Sequence, residues 1–186
     1  RTILGECHAR RFGGVLADFE GTAREDRLSF LSRLGAMLAQ SGRRLYVPEA
    51  FAVPEASVLV CTALSGGTLR ERLSDAAAQY GAQHVALDCQ RLAMDFVLPC
   101  RSGEGTPLTP EELSALREKY GAAVFFSEEL CANYFSYTAQ GRAHFVLFDT
   151  AETLRHKLRL GRERGMEIAF LMYPEVSDLL PELLNA

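Results

Sequence analysis

Four times along this chain a small oxygen-bearing side chain is followed three residues later by glutamate: Thr22 with Glu25, Thr68 with Glu71, Thr109 with Glu112, and Asp149 with Glu152. At that spacing the first side chain holds a free N–H of a new helix while the glutamate reaches back, so each pair marks a helix start. Pro110 supports the third, because the first helical position has no use for an N–H. Apolar residues then recur at helical spacing, as in Leu28, Leu31, Leu34 and Leu38, in Leu113, Leu116 and Tyr120, and in Leu154, Leu158 and Gly161. Gly42, Gly81, Gly121 and Gly165 stand where these stretches end, and glycine accepts the left-handed conformation that stops a helix. A unit of capped helix, glycine stop and apolar strand therefore repeats along the chain.

The strand candidates are Gly14 to Phe19, Leu45 to Val47, Ser57 to Ala63, Leu92 to Leu98 and Glu167 to Met172, each a near-continuous apolar run. Strands that are apolar on both faces are buried on both, which calls for parallel strands covered by helices. His84 to Asp88 fits either a strand or a helix. One stretch breaks the rhythm: Ala123 to Phe126, Glu129 to Thr138 and Arg142 to Phe148 are richer in Tyr and Phe, and Ala139-Gln140-Gly141 reads as a hairpin turn. A small insertion, over about 104–149, is expected within a single domain spanning 1–186.

Composition removes several classes of function. A net charge of −4, with no basic cluster larger than a pair such as Arg43-Arg44, provides no footprint for nucleic acid or an anionic membrane surface. No apolar stretch reaches the ~18 residues that a membrane span needs. The five cysteines, Cys7, Cys61, Cys89, Cys100 and Cys131, have no CxxC spacing and read as buried thiols, with a disulfide between two of them left open. His8, His84, His144 and His156 are scattered, so neither a metal nor a cofactor is expected.

In the run from Phe12 to Glu20, FGGVLADFE, the residues Leu16, Asp18 and Glu20 share one parity and on a strand would point to one side. In a parallel barrel that side is the lumen, and carboxylates at the carboxyl end of a strand sit where barrel enzymes place catalytic groups. Taken alone, the pair fits a turn cap or the partner of a basic side chain better than a catalytic site.

This run resembles the fourth barrel strand of the family 18 glycoside hydrolases, the chitinase-like enzymes, which carry D-x-x-D-x-D-x-E, commonly as FDGIDLDWE. Asp18 and Glu20 match the last two acids, while Gly13 and Leu16 stand at the first two. The rest of the chain is similar to the spore-cortex and cell-wall members of that family. Thr106 to Leu113, Asn133 to Thr138 and His144 to Asp149 resemble their insertion between strands seven and eight, and Asp149 to Leu158 with Ile168-Ala-Phe170 resembles their last helix and strand.

The resemblance implies an α/β fold, strands four to eight of a (β/α)8 barrel with a small α+β insertion before the last strand. It implies association with N-acetylglucosamine-containing glycans, chitin or peptidoglycan, and a location outside the cell or in the cell envelope or spore. Glu20, in an apolar lumen, would be the general acid and Asp18 would orient the substrate's acetamide, the internal nucleophile of such enzymes. The strand-six Tyr and Asp of the family are replaced by Ala63 and Leu64, Leu171 stands at the family's Trp, and the chain contains no Trp. Each lost polar contact of this kind costs ~10²–10³ in rate, so an impaired, glycan-binding or scaffolding domain is expected. The alternative is an active β-1,4-N-acetylglucosaminidase in which Glu49, ending the fifth strand, and Tyr173, beside the lost Trp, supply substrate contacts. A half-barrel exposes two sheet edges, so either a second copy of the chain or a segment preceding Arg1 is expected to complete it.

Overall fold

A computed structural model of the chain describes residues 2–100 and 103–185. In chain order the elements are α1 (Ile3–Arg10), β1 (Gly14–Leu16), α2 (Glu25–Gln40), β2 (Arg44–Pro48), β3 (Ser57–Cys61), α3 (Leu69–Tyr80), β4 (Val85–Asp88), β5 (Ala93–Val97) and β6 (Thr106–Pro107). There follow α4 (Pro110–Tyr120), β7 (Phe125–Ser127), β8 (Ala132–Ala139), β9 (Arg142–Phe148), α5 (Ala151–Arg162), β10 (Ile168–Phe170), α6 (Tyr173–Val176) and α7 (Leu180–Leu184).

Two sheets result. The first is wholly parallel in the order β1-β2-β3-β4-β10. Its convex face carries Leu45, Val47, Val58, Val60, Val85 and Leu87, which are buried under helices α2, α3 and α5. Helix α5 approaches β4 closely because Gly161 lacks a side chain; a Cβ there would stand 2.5 Å from Leu87 Cδ1. The concave face carries residues of the opposite parity, among them Leu16, Tyr46, Leu59 and Phe170. The Tyr46 and Phe170 rings meet edge to face with centroids 5.0 Å apart. Their strands are separated by β3 and β4, and in a flat sheet would lie about 14 Å apart. The sheet is therefore curled, as the resemblance implied for a partial barrel. Among the described residues its outer strands, β1 and β10, each pair on one side only.

The second sheet is antiparallel, in the order β6-β5-β9-β8-β7, and it leaves the barrel between β4 and α5. The hairpin expected at Ala139-Gln140-Gly141 is present, joining β8 to β9 with Ala139 opposite Arg142. Gln140 (φ 50) and Gly141 (φ 73) are both left-handed, the backbone of a two-residue turn that matches strand twist. Three side chains link its strands across one face: Tyr137 Oη donates to Asp95 Oδ2 at 2.6 Å, and Asp95 lies 3.0 Å from His144 Nδ1.

Several local expectations need correction. The Leu92 to Leu98 run belongs to this antiparallel sheet, as β5, and the fourth parallel strand is the ambiguous Val85–Asp88. Asp95 decides the matter: a strand covered on both faces by helices offers a carboxylate nothing, whereas β8 and β9 supply Tyr137 and His144. Thr109 forms the expected capping box with Glu112. Helix α2 instead begins after Arg24, with no side-chain cap, and Thr68 precedes α3 without a capping bond. Helix α5 is capped by Thr150 with Thr153, not by Asp149. Asp149 turns inward, where its carboxylate accepts from Leu92 N, Thr153 Oγ1 and Lys157 Nζ, the last at 2.7 Å, and neither it nor Lys157 has exposed side-chain surface. All five cysteines are free thiols.

Candidate functional site

The carboxyl ends of the five parallel strands converge on a cavity of about 570 Å³. Strand β1 contributes Leu16 and, beyond its end, Asp18; β2 contributes Pro48 and Glu49; β3 contributes Leu59 and Cys61. Strand β4 and the residues after it contribute Asp88 and Gln90, while Phe170, Leu171, Met172 and Glu175 close the far side. Parallel strands of a barrel present their loop residues at this end, and the site belongs to no single element. The floor is apolar and the rim carries carboxylates, a combination suited to a ligand with both C–H faces and hydroxyl or amide groups.

Of the residues singled out in the sequence, Asp18 lines this cavity, exposed at its rim. Glu20 does not. Strand β1 ends at Leu16, so the two-residue alternation does not extend to Glu20, which is exposed and not in an apolar lumen. Its backbone carbonyl accepts a 2.7 Å hydrogen bond from Arg27, and Gly21, at φ 83, turns the chain away immediately afterwards. Glu49 lines the cavity but its carboxylate is ion-paired with Arg72 of α3. Tyr173 starts α6 at 68% exposure and is not among the lining residues, where Leu171 and Met172 stand instead. Ala63 and Leu64 pack against buried clusters outside the cavity.

The sequence reading missed Asp88. This residue ends β4, is half-buried, and accepts a 2.7 Å hydrogen bond from Gln90 Nε2 on its Oδ2. Burial pushes its carboxyl up from the ordinary value, and the charges of Glu175 and Asp18 push the same way, against the Gln90 hydrogen bond. The Cys61 thiol beside it is also raised, first by burial. The available signal was positional: once Val85 to Asp88 is taken as a strand, Asp88 falls at its carboxyl end. Among the described residues no group of three ligating side chains is arranged to hold a metal ion.

No protein-family model matches this sequence, and no curated protein sequence matches it. Solved structures do. The chain superimposes on the spore cortex-lytic enzyme SleL of Bacillus cereus with a TM-score of 0.67 at 21% identity, covering 97% of this chain and 51% of that one. It superimposes on the SleL enzyme of Bacillus megaterium QM B1551 with a TM-score of 0.63 at 18% identity, over 90% of this chain and 47% of that one. A chitinase from Chromobacterium violaceum matches with a TM-score of 0.68 at 20% identity, over 89% of this chain and 62% of that one. The fold is thus the partial barrel of chitinases and spore cortex-lytic enzymes, and the chain spans about half to two thirds of their length.

Proposed function

We propose that this chain is the carboxyl-terminal part of a chitinase-like barrel that takes up N-acetylglucosamine-containing glycans at the strand ends and binds or scaffolds them without efficient hydrolysis. The observation that carries this reading is the cavity itself. It keeps the position and mixed character of a sugar cleft, with Asp18 at its rim and Leu16, Leu59 and Phe170 as its floor. The group that would act as acid, Glu20, stands outside it, and the residues at the family's remaining polar positions, Ala63 and Leu64, are packed away. Similarity to chitinases and to spore cortex-lytic enzymes supports the class of ligand.

Among the described residues β1 and β10 each pair on one side only, which bears on the partner. Unpaired strand edges are templates for further strands, so we propose that additional strands, from another segment of the polypeptide or a second copy, complete the barrel there. Edge amides of β1 and β10 that stay fast-exchanging both in self-associated copies of this chain and in a longer polypeptide that contains it would contradict this.

Titration calorimetry with chitin oligomers tests the main proposal. Saturable binding that weakens in Asp18→Ala and Phe170→Ala is expected, with the oligomer recovered intact. Absence of binding at millimolar ligand, or turnover that Glu20→Gln abolishes, would overturn it.

A further inference from the structure

We infer that the cavity takes its ligand with a proton on Asp88, whose neutral carboxyl donates a hydrogen bond to an oxygen acceptor of the glycan, so that ligand uptake and proton uptake are coupled. The inference rests on the glycan-binding reading above and assigns the proton-bearing role to a residue that no family motif marks.

Asp88 ends strand β4, which lies between β3 and β10, and faces the cavity with Asp18 from the β1 side and Glu175 from α6. It is the more buried of the three, since Asp18 and Glu175 are both exposed. Oδ2 is held by Gln90, and Oδ1 has no hydrogen-bonding partner among the described residues. The thiol of Cys61 and the Glu49–Arg72 pair are the other titratable or charged groups around the cavity. Among the described residues the cations nearest the cavity are engaged elsewhere: Arg72 is taken by Glu49, Arg91 by Asp178 and the Glu175 carbonyl, and Lys157 by Asp149. Three carboxylates around an apolar floor without a counter-ion are relieved most by protonating the one that is least hydrated. The upward push on the Asp88 carboxyl agrees with this.

A protonated acid is a donor, and the ring, glycosidic and acetamide oxygens of an N-acetylglucosamine unit are acceptors. Closing a ligand over Asp88 also removes water, which favours the neutral form further. A cavity built to hold a cation would behave in the opposite sense, binding more tightly as its carboxylates ionise.

The test is calorimetric titration of the full chain with the chitin tetramer across the carboxylate range, about pH 4 to 8. Wild-type affinity is expected to fall with rising pH, by up to about tenfold per unit above the Asp88 pKa, the slope of one linked proton. In Asp88→Asn, which keeps a donor at all pH values, that slope should vanish and binding should persist at the alkaline end. Proton uptake is counted independently on wild type by repeating the titration at the alkaline end of that range, where free Asp88 is ionised, in two buffers of different ionisation enthalpy, which does not depend on the variant folding. Tetramer binding whose pH slope survives in Asp88→Asn, binding that tightens with rising pH, or zero proton uptake overturns the inference while leaving the glycan reading in place. No tetramer binding at any pH overturns the glycan reading itself.

Discussion

Replacing Lys157 by methionine removes the cation from a pair whose side chains have no solvent exposure. Asp149 would retain Leu92 N–H at 2.9 Å and the Thr153 hydroxyl at 2.7 Å, but its charge would be buried without a counter-ion. Removing one member of a buried pair typically costs about 3–5 kcal/mol, because the survivor loses its counter-ion where water cannot replace it. For a chain of this size that lowers Tm by roughly 6 to 20 °C. The same carboxylate has a structural task beyond the pair. Leu92 N donates to it while Asp149 N donates to Leu92 O at 2.7 Å, so the start of β5 is pinned to the head of α5, where the second sheet leaves the barrel. The double variant Asp149→Asn/Lys157→Met keeps an acceptor for Leu92 and leaves no buried charge. It should recover at least about 2 kcal/mol of the loss, a coupling expected only of groups in direct contact. Urea-induced unfolding of the wild type, both single variants and the double variant measures the cycle. A Lys157→Met cost under about 1 kcal/mol, or single effects that simply add, would refute the argument that burial makes this pair indispensable.

Further outcomes follow from the same structure. Asp88→Asn should stabilise the chain at neutral pH: the folded-state pKa is raised, so the folded protein holds its proton more tightly than the unfolded one, and stability is lost as pH rises from the ordinary carboxylate value through the raised one. The advantage of the variant, read from Tm against pH, should grow across that window and disappear below it. Tyr137→Phe removes a 2.6 Å hydrogen bond to Asp95, and should cost about 1.5–3 kcal/mol in denaturant unfolding while leaving glycan binding unchanged. Gly161→Ala drives a methyl group into Leu87 and should cost about 1–3 kcal/mol by the same measurement, since α5 must lift from β4.

What was legible in the sequence follows the range of the physics involved. The Thr109 box, the Gly121 stop and the hairpin at Gln140-Gly141 are local, and each appears as the spacing predicts. Asp149 has the same local spacing as a cap but is claimed by Lys157, eight residues on, and by Leu92, fifty-seven residues back. Nothing in a window of four residues carries that information. The Leu92 to Leu98 run looked like a buried parallel strand by apolarity alone, although Asp95 within it needed partners that only an antiparallel neighbour provides. The site was partly legible for a related reason. Asp18 could be placed from strand parity, and Asp88 was hidden because the type of its segment was undecided. The parity that points Glu20 to the lumen needs a strand running to Phe19, whereas the last hydrogen bond from this segment to β2 is Ala17 N to Tyr46 O and Glu20 is exposed beyond it.

The measurement that bears most directly on the account is an NMR titration of the isotope-labelled chain with the chitin tetramer, with the sugar analysed at the end. The account predicts saturable shifts confined to the cavity, at Leu16, Asp18, Asp88 and Phe170, with the tetramer intact. Unperturbed spectra at millimolar ligand would contradict the binding claim. Cleavage of the tetramer that disappears in Glu20→Gln would contradict the claim that this cavity has lost its catalytic acid.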